Sequence, residues 1–377
     1  MRQFAGQDQL VWIDYAEFGP RFVGAAVTPE RIEAAVAGMT GRGITIGPFS
    51  VGPVGLAGFV AEGKVGKPVI APRNGPEVEF GVRLPASLHV TITLGGQQFR
   101  LEAIVDIALT LRARAADPLL IVIDVPPVEP DDVDFTVRAQ AIGGIIAMLL
   151  DPITVLIQRE VAARVNGMLD DPQTRRARIF DIAAILDGRR ARPPLPPRLE
   201  WLGYDEFGRR FFPRIVTADR VREVVEGLAG RVIEVGPLRT GPGAAATVQA
   251  TGVVRMPRVA PRPGADPVSF DLTLPVELDL TIDALVANRY RANLTIPLVL
   301  IARAAEPLLI VIDVAPPTPE QIQVDLRPLS WRAKALGVLG GIRGQLATRV
   351  AAVVRDELRD LSFRSIDVAA RIAAATD

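Results

Sequence analysis

The segment Glu79-Phe80-Gly81-Val82-Arg83-Leu84-Pro85-Ala86-Ser87-Leu88-His89-Val90-Thr91-Ile92-Thr93-Leu94 decides how this chain folds. Phe80, Val82, Leu84, Ala86, Leu88, Val90, Ile92 and Leu94 fill every even position, whereas Glu79, Arg83, Ser87, His89, Thr91 and Thr93 lie among the odd ones. Strand side chains alternate between faces, so period two over this length predicts one long antiparallel strand with a dry and a wet face. At roughly 3.4 Å per residue it would extend roughly 50 Å, beyond the usual strand. Pro85 removes one ladder bond, so the strand should curve or meet an edge there.

The pattern occurs twice. Phe270, Leu272, Leu274, Val276, Leu278, Leu280 and Ile282 alternate with Asp271, Glu277, Asp279 and Asp283, and Pro275 interrupts them at the equivalent place. Trp12, Tyr15, Glu17, Phe18, Gly19, Arg21 and Phe22 return as Trp201, Tyr204, Glu206, Phe207, Gly208, Arg210 and Phe211, displaced by 189 residues. The same shift carries Pro118–Val125 onto Pro307–Val314 without a mismatch. Such self-similarity marks one domain used twice. The expected boundaries are 1–188 and 199–377, joined by a stiff Pro/Arg-rich linker at 189–198.

Each copy carries the same order of signals. Thr28-Pro29 and Thr217-Ala218 open helices, with Ile32, Val36 and Met39, or Val221, Val225 and Leu228, on one face. A second alternating run holds Phe99, Leu101, Ala103, Val105, Ile107, Leu109 and Leu111; its counterpart holds Tyr290, Ala292, Leu294, Ile296, Leu298 and Leu300. The Pro-Leu-Leu-Ile-Val-Ile-Asp-Val block is apolar on both faces and so should be covered on both. Each copy then ends in helix. Residues 141–157 carry Ile145, Ile146, Leu149, Leu150, Ile153, Leu156 and Ile157 around the whole circumference, which predicts an enclosed helix kinked or split at Pro152. The counterpart is amphipathic, with Leu336, Leu339, Ile342, Leu346, Val350 and Val353 on one face.

Composition removes several functions. The 377 residues hold 43 basic and 43 acidic side chains, one histidine and no cysteine. Thiol chemistry and cysteine-ligated zinc are excluded, and the charge balance argues against a nucleic-acid partner. Neither a Gly-x-x-x-x-Gly-Lys-Ser/Thr loop nor a Gly-x-Ser-x-Gly elbow occurs, so no catalytic residue, metal or cofactor is assigned. His89 falls on the wet face of its strand, where Glu79, Arg83 and Thr91 are ordinary surface company and point to neither a base nor a metal ligand. Hydrophobic residues reach 49% while aromatics are 5%, so buried walls are mainly aliphatic, which suits a core and also an alkyl chain. No signal-like stretch or apolar run of membrane-spanning length is visible, and the expectation is a cytoplasmic protein, peripheral to the membrane at most.

Taken together, each copy reads as α+β: a helix, long curved antiparallel strands with one dry face, and a long C-terminal helix. This layout resembles the tubular lipid-binding superfamily, in which a strongly bent sheet wraps a long helix around an apolar tube. Tandem members of about this size include mycobacterial lipid-binding proteins, which suits a chain whose basic residues are nearly all arginine. The helix-grip fold, with a C-terminal helix in the mouth of a shorter curved sheet, is the rival resemblance.

The resemblance implies a non-enzymatic binder and possible carrier of lipid or fatty-acyl ligands, with room for transient membrane-surface contact and for a homodimer. The candidate wall in the first copy is Val82, Leu84, Leu88, Val90, Ile92, Val105, Ile107, Leu109, Ile145, Ile146, Leu149, Ile153 and Leu156. In the second it is Leu272, Leu274, Leu278, Leu280, Leu294, Ile296, Leu298, Leu339, Ile342, Leu346, Val350 and Val353. The alternatives are a structural or interaction module with filled cores, and an enzyme. Two further features carry structural expectations. The Trp-x-x-Tyr-x-Glu-Phe-Gly-x-Arg-Phe segments should plug one end of each core, and Asp124 and Asp313 should be simple polar strand ends, with pairing to Arg114 and Arg303 at the end of the preceding strand as the alternative.

Overall fold

The computed structural model describes residues 10–36, 40–51, 57–138, 144–189, 198–240, 246–283, 287–329, 339–362 and 364–376. In chain order, the first half contains β1 (Trp12–Ile13), α1 (Tyr15–Ala26), α2 (Pro29–Val36), β2 (Gly43–Val51), β3 (Ala57–Val65), β4 (Val69–Arg73), β5 (Glu79–Leu94), β6 (Gln97–Ala116), β7 (Leu120–Asp124), β8 (Val133–Arg138), α3 (Gly144–Asp170), α4 (Pro172–Ala177), β9 (Ile179–Asp181) and α5 (Ile182–Leu186). The second half repeats the order with β10 (Trp201–Leu202), α6 (Tyr204–Ile215), α7 (Ala218–Glu226), β11 (Val232–Thr240), β12 (Ala246–Val254), β13 (Arg258–Pro261), β14 (Ser269–Asp283), β15 (Ala287–Ala305), β16 (Leu309–Val314), β17 (Gln323–Pro328), α8 (Leu339–Glu357), β18 (Ser365–Asp367) and α9 (Val368–Thr376).

The fold is α+β, two strongly curled antiparallel sheets with helices. One sheet runs β2-β3-β5-β6-β7-β9, with β4 on β5 and with β8 and β10 on β6. The other runs β11-β12-β14-β15-β16-β18, with β13 on β14 and with β17 and β1 on β15. The alternating segments form the longest strands, 16 and 20 residues in β5 and β6. Pro85 and Pro275 stand where the neighbouring strand changes: β3 pairs only as far as Ala86 and β4 takes over from Arg83. A missing N–H at that gap costs no ladder bond, and the Pro85 carbonyl still accepts from Gly66 N at 2.7 Å.

Glycine permits the curl. A Cβ on Gly63 would lie 1.9 Å from the Ser87 carbonyl oxygen, and one on its counterpart Gly252 would lie 1.9 Å from that of Glu277. Neither strand pair could approach so closely with any other residue. The outer strands bulge between Ile46 and Phe49 and between Val235 and Leu238. The bulges contain Gly47 and Gly236 at φ of 95° and 112°, a region glycine occupies freely.

The described residues form two compact units, one drawn from Met1–Phe18 and Gly208–Ala370, the other from Gly19–Phe207 and Arg371–Asp377. The first part of each aromatic segment, up to Phe18 and Phe207, therefore belongs to the unit built from the opposite half of the chain. Trp12 and Ile13 pair with Ala305 and Ala304 of β15, and Trp201 and Leu202 pair with Ala116 and Ala115 of β6. The phenylalanines that follow are fully buried plugs: Phe18 packs on Phe211 and Phe212 in one unit, and Phe22 packs on Phe207 in the other. Residues 190–197 of the expected linker, and Met39 of the expected helix face, lie outside the described residues.

The shared apolar block is covered on both faces, as its composition requires. Leu119 and Ile121 are buried, while Leu120 and Val122 join Ala116, Ile179 and Leu199 in a small second cluster. Ala305, Leu309, Val311, Leu361, Leu10 and Trp12 do the same in the other unit.

Candidate functional site

The concave face of each sheet is lined by apolar rows running across the strands. In the first-repeat sheet, pairing aligns Ile46 with Ala61, Val90 and Leu101; Gly63 with Leu88, Ala103 and Val137; and Val65 with Ala86, Val105 and Phe135. In the second-repeat sheet it aligns Val235 with Ala250, Leu280 and Tyr290, and Gly252 with Leu278, Ala292 and Leu326. Helix α3 lies against β2 and β8, and α8 lies against β11 and β17, so each long helix bridges two strands that end the curl. A curled sheet closed by a helix in this way has the form of a tube.

Of the residues expected to line these tubes, Val82, Leu84, Leu88, Val90, Ile92, Val105, Ile107 and Ile153 are buried, with Leu109 and Leu156 half-buried. In the second repeat Leu272, Leu278, Leu280, Leu294, Ile296, Leu298, Ile342, Leu346 and Val350 are buried, with Leu274 and Val353 half-buried. The side chains of Ile145, Ile146, Leu149 and Leu339 lie outside the described residues. The set does not form one wall. Val82 and Leu109 pair beyond Pro85, on the stretch of sheet flanked by β4, against which α2 packs; Leu272 and Leu298 lie likewise beside β13 and α7. Sequence periodicity groups residues by face, and only the change of neighbouring strand at the proline shows that one face serves two compartments. Ile46, Phe59, Ala61 and Val133 belong to the same buried face and were not singled out from the sequence, and Ala103, read there as part of an alternating run, was not counted in the wall.

Two expectations about α3 are corrected. It is not split at Pro152 but runs as one helix from Gly144 to Asp170, with the proline exposed. Nor is it enclosed all round, because Val155 is 45% exposed.

The polar strand ends also differ from expectation. Arg114 Nη1 lies 3.5 Å from Asp124 Oδ2 with its guanidinium 3.8 Å from the centre of the Trp201 ring. Arg303 Nη1 lies 3.3 Å from Asp313 Oδ2, with its guanidinium 4.0 Å from the Trp12 ring. Half-buried carboxylates require a partner, and the tryptophan that shields each pair comes from a distant part of the sequence. Tyr15 donates its hydroxyl hydrogen to Ala302 O (2.6 Å) and accepts from Val268 N (3.2 Å), while Tyr204 donates to Ala113 O (2.5 Å) and accepts from Val78 N (3.0 Å). Burial pushes the Tyr15 phenol up to about 12 and raises that of Tyr204. Both tyrosines thus pin a distant segment to a sheet.

His89 is exposed on the wet face, flanked in register by Glu62 and Glu102. Among the described residues no group of three or more histidines and carboxylates is placed to hold a metal, and no helix is long and apolar enough to cross a membrane.

Beside α8, an open groove of about 770 Å³ runs between this helix, Arg239 of β11 and the turn at Pro319 and Glu320. Its helix side is formed by Gly341, Gly344, Gln345, Ala347, Thr348, Arg349 and Ala352, and not by the buried Ile342, Leu346 and Val350. A smaller hollow of about 470 Å³ includes Trp12, Tyr15, Asp266 and Arg303. Neither is lined by the expected wall residues, which among the described residues are buried or half-buried.

No protein-family model matches the chain, and no curated protein does. Among solved structures it is similar to lipopolysaccharide binding protein, at 7% identity over 94% of this chain and 91% of that chain, with a TM-score of 0.32. It is also similar to P47 of Clostridium botulinum E1, at 9% identity over 91% of this chain and 88% of that chain, with a TM-score of 0.25.

Proposed function

We propose that this chain is a non-enzymatic lipid-binding protein, a tandem bacterial member of the tubular lipid-binding type, which holds or carries an acyl chain between the concave sheet and its bridging helix. The observation that carries the reading is the apolar rows, which between them run across β2, β3, β5, β6 and β8 on the side of a helix that touches both β2 and β8. Desolvation supplies the affinity: at about 0.8 kcal/mol per methylene, a chain of roughly sixteen carbons gains on the order of 12 kcal/mol before the costs of association are subtracted. Aliphatic walls make few directional contacts, so chain selectivity is low. Entry requires the helix to lift from the sheet, because the wall is covered in the closed form. Organic extraction or native mass spectrometry of the purified protein tests this. Co-purifying lipid, or displacement of a fluorescent fatty acid, is the expected result; apo protein with no displacement overturns it.

A second reading is favoured by that same closure: a structural module whose side chains fill both tubes. It predicts that an added fatty acid leaves the hydrogen exchange of α3 and α8 unchanged, whereas a lipid binder protects at least one of them.

A further inference from the structure

We infer that the second-repeat tube takes a single-chain amphiphile with an anionic head group, and that Arg239 and Arg349 grip that head at the groove beside α8. The inference rests on the lipid-binding reading and adds the head group and the repeat that binds it.

Three observations point to this ligand. First, Arg239 and Arg349 stand on opposite sides of the groove, one on β11 and one on α8, exposed and without an ion-pair partner among the described residues. Eight other arginines on or beside the strands, Arg73, Arg112, Arg114, Arg255, Arg262, Arg291, Arg303 and Arg327, are by contrast held by carboxylates. Two guanidinium groups lining one open groove offer an anion charge-assisted hydrogen bonds from a strand and from a helix. Glu320 is the carboxylate on the rim, which leaves the groove a net positive charge.

Second, the groove reaches the core: Ala347 lines it and is itself buried, next to the buried Leu346. An alkyl chain attached to a head held there therefore starts at the seam between α8 and the sheet.

Third, the first repeat lacks these features at the same positions. The 189-residue shift places Ser50 where Arg239 stands, Glu160 where Arg349 stands, and Val155 where Gly344 stands. Glu160 is already paired with Arg164 at 3.0 Å. The dry face differs in the same sense. Buried Asn288 and Tyr290 of β15 stand where the first repeat has Phe99 and Leu101, and Asn288 aligns through Ile282 and Val248 with Leu238, the neighbour of Arg239.

The test measures binding of hexadecanoate, hexadecyl phosphate and hexadecanol to the full chain and to Arg239→Gln, Arg349→Gln and the double variant. The wild type should bind the anions about tenfold or more tightly than the alcohol, as charge-assisted bonds to arginine require. The double variant should lose that preference while keeping its affinity for hexadecanol, and Glu160→Gln should change nothing. The tighter of the two anions identifies the head as carboxylate or phosphate. Equal affinity for all three probes, or a preference that survives the double variant, overturns the head-group inference and leaves lipid binding standing. Failure of every probe overturns both.

Discussion

Helices α3 and α8 hold the same place in the two repeats, bridging β2 to β8 and β11 to β17, and their inward residues match: Ile153, Ile157 and Val161 against Ile342, Leu346 and Val350, all buried. Their outer faces do not match. Where α8 has Gly341, Gly344, Gln345 and Ala347, the sequence of α3 has Pro152, Val155, Leu156 and Gln158, and Gln158 Nε2 donates to Val133 O at 2.7 Å. The first repeat thus stitches its helix to β8 with a side chain, while the second leaves a groove at the corresponding seam. Matching inward helix residues with a different rim mean that the repeats share a fold requirement and differ in access.

That comparison is most severely tested where the repeats are alike. Gly63→Ala and Gly252→Ala each drive a methyl group into a backbone carbonyl, at a distance no real contact shows. Each should cost about 3 kcal/mol or more, since overpacking against backbone has no flexible neighbour to yield. The check is chemical denaturation followed by circular dichroism. An unchanged midpoint for either variant would mean that the strand spacing relaxes, and that the curl does not depend on these glycines.

The next largest effect separates the repeats. Leu88→Ala and Leu278→Ala remove matched side chains from the concave rows, each at about 2–5 kcal/mol. Without ligand, both variants should lose stability. With excess hexadecanoate, stabilisation by mass action should raise the melting temperature of wild type and Leu88→Ala equally, and that of Leu278→Ala by a different amount, because only that cavity lies in the occupied tube. Identical ligand-induced shifts in all three would remove the asymmetry.

Much of this was legible in the residues themselves. The 2-residue period of β5 and β14 marked the dry faces, and the 189-residue displacement marked the repeat, because both are regular over long stretches. What stayed hidden depends on pairing. β1 and β10 are two residues each and carry the same aromatic motif, so nothing in either copy says which sheet it joins. The Arg114–Asp124 and Arg303–Asp313 pairs could be named from the sequence as an alternative, but only the strand register, which sets the partners diagonally across a hairpin, decides for them. The difference between grooves could have been read by setting Gly344 against Val155, but small residues on a helix say little until the opposite wall is known.

The two tyrosine pins should respond alike. Tyr15→Phe leaves Ala302 O and Val268 N without their partner, and Tyr204→Phe does the same to Ala113 O and Val78 N, each at about 1–3 kcal/mol. Burial makes the folded chain hold the Tyr15 proton more tightly than the unfolded chain does, so its contribution is complete below pH 10 and declines as pH rises towards about 12. The Tyr204 phenol is raised for the same reason and contributes in the same direction. Melting temperatures between pH 9 and 12 should fall less steeply for Tyr15→Phe than for wild type. An equal slope would show that the hydroxyl is solvated when folded.

The smallest effect belongs to the indole rings over Arg114 and Arg303. Trp201 is 39% exposed, and each arginine keeps roughly a third of its side chain in water, so the attraction between cation and ring is screened. Trp201→Leu and Trp12→Leu should each cost only about 0.5–1 kcal/mol through that contact. A double-mutant cycle with Arg114→Met or Arg303→Met isolates it from the packing lost with the ring. The two coupling energies should agree, because the guanidinium stands 3.8 Å from one ring and 4.0 Å from the other. A coupling in only one repeat would place a difference at the aromatic end of the sheets as well as at the groove and the dry face beside it.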